Sequence, residues 1–556
     1  MNRYRLIRKG CHITLYPSQS VDLREILPHS ILKGYLSQDG PLQEAFSAPP
    51  EHLSGFIDEK QKDRARNRKE LVACLLAYNR KLGASKKTLD NISLLERSET
   101  VAISTGQQPG LLTGPLYTLY KSITALKKAE QLTESGIPSV PVFWNATEDH
   151  DMEELNHIYL PNEGEHEGEG VQRMTYPFSP TFLNWSVGKI PLGDEVGPFL
   201  QEFKRFLPET GFSSEVFELL QTTAALSTTY GEWFSRIMTT LFSKYGLIML
   251  DPTDPAIKQL ALPIFERVIE EPLVVSRLVN EAGDRLERLG YKRQIHKTDD
   301  SCAFFVEHEG RREQVLYRDG VFRTARHRYS KMDLLSILME SPERFSSNAT
   351  LRPIVSEALF PSLGYVGGPG EIAYWAQLKG VFEHFQLVMP ILLPRVSLTL
   401  VEHKVRKILE KLKLDPLEFR DEASAMSRLT REKYPFLSEL FWERIREKVE
   451  GSFSEVSFAL PEVDPTLSDS LKNTISSMHL LVSKFEKKLL RNMKKREEIV
   501  ARQVLEVTTH LFPHHEFQER VINVFCFLNR YGLQFVDQLV EMFPDDSRRH
   551  FFVDIT

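Results

Sequence analysis

An apolar run that breaks into a glycine-rich loop and then into an amphipathic helix restricts this chain's fold more than anything else in it. Val101, Ala102 and Ile103 lead straight into STGQQPGLLTGPLYTLYKS, residues 104–122, whose first twelve residues hold three glycines and two prolines. The same succession returns at LGYVGGPGEIAYWAQLKGVFEHF, residues 363–385. Between them, residues 139–146 (SVPVFWNA) and 245–252 (YGLIMLDP) read as two further buried strands, the second followed by a helix. Strands alternating with helices predict an α/β fold around a mostly parallel, doubly wound sheet. Strands are expected at 101–104 and 139–146, and a helix from 115 to about 135.

The rest of the chain is arranged around that rhythm. Its 556 residues exceed one ordinary core, so several domains are expected. Residues 1–160 are read as N-terminal helices plus the first part of the sheet domain, with the clearest amphipathic helix at 66–83. Residues 161–240 are a connecting insert, β-like and then helical. Residues 241–400 complete the core and include a small antiparallel element, punctuated by hairpin signals at Glu309-Gly310 and Asp319-Gly320. Residues 401–510 are charged helix. There Leu467, Leu471, Ile475, Met478, Val482, Phe485, Leu489 and Met493 are spaced by threes and fours, a narrow seam of coiled-coil type. Residues 401–414 are expected to pair with that seam as an antiparallel hairpin; two helices merely packed on the core are the alternative. Residues 511–556 are expected to pack back on the core.

Composition excludes several classes. A net charge of −6, with an acidic run at 163–169, argues against a nucleic-acid partner. The four cysteines, Cys11, Cys74, Cys302 and Cys526, form no CxxC pair, so neither a disulfide framework nor a structural zinc site is expected. The N-terminus lacks an apolar signal core, and the longest apolar stretch, 387–401, is interrupted by two prolines and an arginine. A cytoplasmic protein without a membrane span is expected.

Three stretches carry candidate chemistry. In the first, Gly106, Gly110 and Gly114 would admit a ligand to the backbone, and Pro115 would open a helix whose positive end suits phosphate or carboxylate. Thr105, Gln107, Gln108, Thr113 and Tyr117 belong to this candidate binding set. Lys121, one turn beyond Tyr117, could reach an anion held there; a plain turn and core helix is the competing reading. In the second, Glu148, Asp149, His150 and Asp151 are consecutive at the same sheet edge. Asp149, His150 and Asp151 are the candidates for acid–base work or for binding an amine. Acids stabilising a helix start are the bland alternative, and His150 with His157 makes a weak metal reading because HxxxxxxH is no recognised ligand spacing. In the third, Gly367, Gly368, Gly370 and Glu371 form a second loop that matches neither a dinucleotide fingerprint nor a P-loop. Arg352 and Arg395 beside it either hold anions or face solvent.

TGQQPGLLTGPLYTLYKSITALKKAEQL followed by PVFWNATEDHDMEELNHIYLP is very similar to the bacillithiol biosynthesis cysteine-adding enzyme family, and RPIVSEALFPSLGYVGGPGEIAYWAQLKGVFEHF resembles that family's third block. The likeness covers nearly the whole chain. It implies a Rossmann-like core related to class I nucleotidyltransferases, with connecting inserts and a coiled coil that makes a homodimer. It also implies a ligase that adds cysteine to glucosaminyl-malate through an amide bond. ATP as cosubstrate is expected to activate the cysteine carboxylate, and Mg²⁺ is expected only because ATP chemistry usually brings it. The chain has no clear HIGH or KMSKS signature, and His150 follows a different strand from the first glycine loop. A non-catalytic nucleotide-fold scaffold, or a ligase with another amino-sugar acceptor, are the alternatives.

Overall fold

The computed structural model describes residues 13–556 except 29, 61–66, 162–169, 434–438, 465 and 497; Cys11, Arg66 and the acidic run at 163–169 lie outside the described residues. Two compact units divide the chain. The first takes residues 1–167, 172–399 and 519–556, and the second takes 400–518 with 168–171.

Five parallel strands form the centre of the first unit: β1 (Val101–Gln107), β2 (Ser139–Asn145), β3 (Ile248–Leu250), β4 (Ser362–Gly367) and β5 (Ile391–Pro394). Their order is β3-β2-β1-β4-β5. Chain order reverses between β1 and β4, and in a doubly wound sheet that is where a crevice opens beyond the strand ends. Alternate residues serve two cores. Val101, Ile103, Ile391 and Leu393 pack with Ala125, Ala129 and Leu132 of α1 (Tyr117–Glu134). Ala102, Val140, Val142, Trp144 and Leu392 face the other, larger cluster. Burial on both faces is why these strands read as unbroken apolar runs.

β1 is longer than its apolar run suggests. Pairing with β2 continues through Gly106 opposite Trp144 and Gln107 opposite Asn145. Thr105 is fully buried and donates its hydroxyl to the Val366 carbonyl of β4 at 2.9 Å. Three residues expected in a loop are therefore strand. Of the glycines in this stretch, only Gly114 has a positive φ, +69°. Gly106 answers to a different constraint: a Cβ there would stand 2.9 Å from the Trp144 carbonyl oxygen.

The small antiparallel element is present as strands Ser301–His308, Arg311–Arg318, Val321–Arg323, Arg328–Tyr329 and Phe345–Ser347. Glu309, Gly310, Asp319 and Gly320 all have positive φ, as two-residue hairpin turns require. The insert runs through short strands and then helices Val196–Phe206, Ser213–Ala225 and Tyr230–Leu241. The first hundred residues are mainly helical where described, and Arg68–Leu82 ends at Gly83 in the left-handed conformation. One strand breaks that expectation: Leu15–Asp22 pairs antiparallel with Arg549–Ile555. Its partner lies at the far end of the chain, beyond reach of local periodicity.

In the second unit, Leu467–Arg496 is one 30-residue helix. It packs against Glu422–Lys433 and Glu439–Gly451, while His403–Leu412 lies on Glu498–Leu511. The expected hairpin of residues 401–414 with the seam is thus corrected. Strand continues to Glu402, the first helix is only ten residues long, and Trp442 of the third helix takes the place beside Phe485, at 6.4 Å between rings. No helix among the described residues is long and apolar enough to cross a membrane.

Gly106→Ala should lower unfolding stability by about 1–3 kcal/mol, the usual range for forcing a group into a packed site. Gly370→Ala, with nothing within 4 Å of its added Cβ, should cost under about 1 kcal/mol. Urea denaturation measures both, and equal midpoints would show that β1 and β2 separate without penalty.

Candidate active site

A cavity of about 610 Å³ opens beyond the ends of β1 and β4, at the switch point. One wall is made by the first and third glycine-bearing stretches. Lys121, 2% exposed, donates to the Gly106 carbonyl at 2.7 Å and to Gln107 Oε1 at 2.9 Å, and forms an ion pair with Glu371. Glu371 also accepts from Tyr365 at 2.7 Å and from the Gly368 N–H at 2.9 Å. Burial pushes the Lys121 ammonium down; burial would raise Glu371, but Lys121 and Arg352 hold its carboxyl below the usual range. The anion that Lys121 reaches is therefore the protein's own. Arg395 does not face solvent: it is 5% exposed, paired with Glu519 at 2.7 Å, and stands 5.7 Å over the Tyr117 ring.

The opposite wall follows β2. Gln108 donates to Asp149 Oδ2 at 2.6 Å and Glu154 Oε2 at 3.0 Å, while Asp149 Oδ1 accepts the backbone N–H groups of His150 and Asp151. Burial opposes ionisation of Asp149, but these bonds and the nearby Arg312 hold its pKa below normal. His150 places Nδ1 3.1 Å from an Arg312 nitrogen. A guanidinium only donates, so Nδ1 is the acceptor and the neutral ring carries its proton on Nε2. Burial first, then Arg312, lowers the His150 pKa. Asp151 is exposed and caps the turn Met152–Leu155 by accepting from the Glu154 N–H. Glu148 is buried in an ion pair with Lys258 and accepts from the Ser347 N–H at 3.1 Å and hydroxyl at 2.6 Å.

Gly106, Gln107, Gln108, Tyr117, Lys121, Asp149, Gly368, Gly370 and Glu371 all line this one cavity. Gly110 lines a smaller chamber of about 330 Å³ that shares Gln107, Gln108, Tyr117 and Arg520 with the first. Thr105, Thr113 and Gly367 line neither, and His150 and Asp151 stand outside both linings. His157 lies on the smaller chamber. Sequence reasoning missed Lys258, Lys297, Arg312, Ser347 and Asn348. The antiparallel insert carries Arg312 and Ser347 here, and the usable signal was the register fixed by the turn at Glu309-Gly310.

Buried lysines, arginines and carboxylates around a cleft at such a switch point mark a Rossmann-like enzyme that handles charged small molecules. The chain belongs to the bacillithiol biosynthesis BshC family, a family of ligases. Residues 17–396 match the family's model "Bacillithiol biosynthesis BshC, N-terminal Rossmann-like domain", and 398–555 match "Bacillithiol biosynthesis BshC, C-terminal coiled-coil domain". A relative from Desulforamulus reducens is 31% identical over 91% of this chain and 94% of its own length. One from Bacillus cereus (strain AH187) is 32% identical over 87% and 90%, and one from Salinibacter ruber is 34% identical over 88% and 90%. All three bear the name "Putative cysteine ligase BshC".

The His150 arrangement has a pH signature. Its depressed pKa makes a contribution to stability that is complete above the unfolded value near 6.5 and is lost as pH falls through the folded value. Imidazole NMR should place the His150 midpoint below 6.5, and Arg312→Met should move it upward. A midpoint unmoved by that substitution would refute the Arg312–His150 contact.

Proposed function

We propose that this chain condenses cysteine with glucosaminyl-malate, forming an amide between the cysteine carboxyl carbon and the glucosamine nitrogen. The observation that supports this most is the junction of two chambers at Gln107, Gln108, Tyr117 and Arg520, which would let two substrates meet at one edge of the sheet. Family membership supplies the reaction class.

A carboxylate is a poor acyl donor because an oxide must leave. ATP would convert it into an acyl adenylate with release of pyrophosphate, or an acyl phosphate with release of ADP. The bound ammonium would first give one proton to water, exposing the nitrogen lone pair; the amine then attacks the carbonyl carbon, the C–O bond to AMP or phosphate breaks, and nitrogen loses its second proton. Asp149 is assigned to the amine. As a carboxylate of lowered pKa it first attracts the ammonium as a charge partner. It takes the second proton, once the nitrogen has bonded to carbon and become acidic. His150 and Asp151 support it: the first presents Nε2–H, the second fixes the turn. Lys121, Tyr117, Gly368 and Gly370 would surround the activated group. Mg²⁺ would arrive on the phosphates of ATP, since among the described residues no group of three His, Cys, Asp or Glu could hold a metal ion.

Purified protein given cysteine, ATP and glucosaminyl-malate should yield the ligated thiol, detected by mass. Asp149→Asn should reduce turnover by about 10²–10⁴-fold, the range for losing a proton-transfer group, with the fold intact by circular dichroism. Near-normal turnover would remove Asp149 from the reaction.

We also propose that the second unit makes a homodimer through its seam. Leu467, Met478 and Phe485 are 43%, 36% and 59% exposed within one chain, and Phe441, Trp442, Ile445, Leu481, Val482, Phe485 and Leu489 line an apolar groove. Val482→Glu with Phe485→Glu should halve the mass in solution by light scattering. An unchanged mass would exclude the seam as the interface.

A further inference from the structure

The cavity's cations divide into two sets. Lys121, Lys258 and Arg395 each have a carboxylate of their own, in Glu371, Glu148 and Glu519. Among the described residues, Arg312, Arg352 and Lys297 make no direct ion pair, although Glu148 and Asp149 act on Arg312, and Glu371 on Arg352, from a distance. Arg312 is 9% exposed, its guanidinium 3.8 Å from the Phe305 ring centre, and its described hydrogen-bond partners are all neutral: Ser346 Oγ at 2.8 Å, His150 Nδ1, and the Ser347 carbonyl. Arg352 meets the hydroxyls of Tyr365, at 3.4 Å, and Tyr374. Lys297 is half-buried, with no described partner for its ammonium. Burial depresses its pKa without any compensating charge.

Burying cations without a direct ion pair is expensive, and such burial at a cavity wall marks a place where a contacting anion comes with a ligand. A guanidinium has five donors; Arg312 uses three and Arg352 two, so both keep N–H groups for a planar, bidentate acceptor. All three cations line the large cavity, whereas Gly110, Gly114 and Thr118 of the first turn of α1 line the small chamber, where none of the three cations stands. Gly368 and Gly370 share the large cavity with the three cations, so ATP is the competing occupant that the test must separate from a carboxylate.

We infer that Arg312, Arg352 and Lys297 form a dicarboxylate subsite that binds the malyl group of the acceptor and sets the enzyme's preference for it. The inference rests on the proposed ligation for the identity of the acceptor, but the carboxylate-binding subsite itself is testable without it. Calorimetry would compare wild type, Lys297→Met and Arg352→Lys with four probes: malate, glucosaminyl-malate, methyl glucosaminide and ATP. Each substitution should weaken malate and glucosaminyl-malate by roughly 10- to 100-fold, the size of a lost charge-assisted bond. Methyl glucosaminide and ATP should stay within about twofold, the change expected where no contact is lost. No described residue bonds the Lys297 ammonium, so its variant should melt with the wild type. Weakened ATP with unchanged glucosaminyl-malate would mean that these cations read the triphosphate, and the proposal falls. It falls equally if wild type binds neither malate nor glucosaminyl-malate. If malate binding and its loss in the variants hold but no ligated product forms, the subsite stands and the proposed ligation fails.

Discussion

The Lys121–Glu371 pair spans the switch point, and the geometry of the cavity depends on it. β1 and β4 lie side by side, but their loops and following helices diverge; a lysine on α1 and a glutamate beside β4 rejoin them. An isolated buried pair costs about as much desolvation as its attraction returns. Here the Gly106 carbonyl and Gln107 take the remaining ammonium protons, and Tyr365 and the Gly368 N–H take the remaining carboxylate lone pairs. Removing either partner would strand the other charge together with two or three bonded groups. The pair therefore holds Gly106, Gln107 and Gly368 in one frame, and these are the backbone and side-chain groups that line the cavity.

A second pair does the same work across the opposite wall. Glu148 joins the turn after β2 to Lys258 on the helix Pro255–Glu270 and to Ser347 at the edge of the antiparallel insert. Arg312 extends that link, bonding Ser346 of the edge strand and His150 beside Asp149. The insert is thus braced against the sheet by groups that also give the cavity its charge. Its hairpins serve the site by placing arginine where the core strands could not. Those strands are buried on both faces, and only their ends reach the cavity.

How much of this was legible follows from the range over which each interaction acts. β1, β2 and α1 were readable because a buried strand and an amphipathic helix are written in consecutive residues. The positive-φ turns at 309–310 and 319–320 were readable for the same reason. Lys121 could be set near an anion from helical spacing, yet Glu371, 250 positions later, could not be matched to it. Arg395 left two readings open because its partner Glu519 arrives only after the whole second unit. The strand Leu15–Asp22 pairs with the opposite end of the chain, and, with Leu15 its one buried residue, it carries no apolar alternation. The seam of Leu467–Arg496 was correctly helical, but which helix faces it depends on turns after Leu412 that local spacing does not encode.

Asp149 and His150 show how neighbours in sequence can be given different chemistry by distant residues. Adjacent acidic and imidazole groups suggest a shared proton. The fold instead turns Asp149 Oδ2 to Gln108 on β1's loop and His150 Nδ1 to Arg312 on the insert. Each contact lowers the affinity of its group for a proton, so neither is a strong ground-state base at neutral pH. What remains is a fixed negative charge at the cavity wall and a neutral ring behind it. Such an arrangement suits holding a cationic group at this wall better than taking its proton.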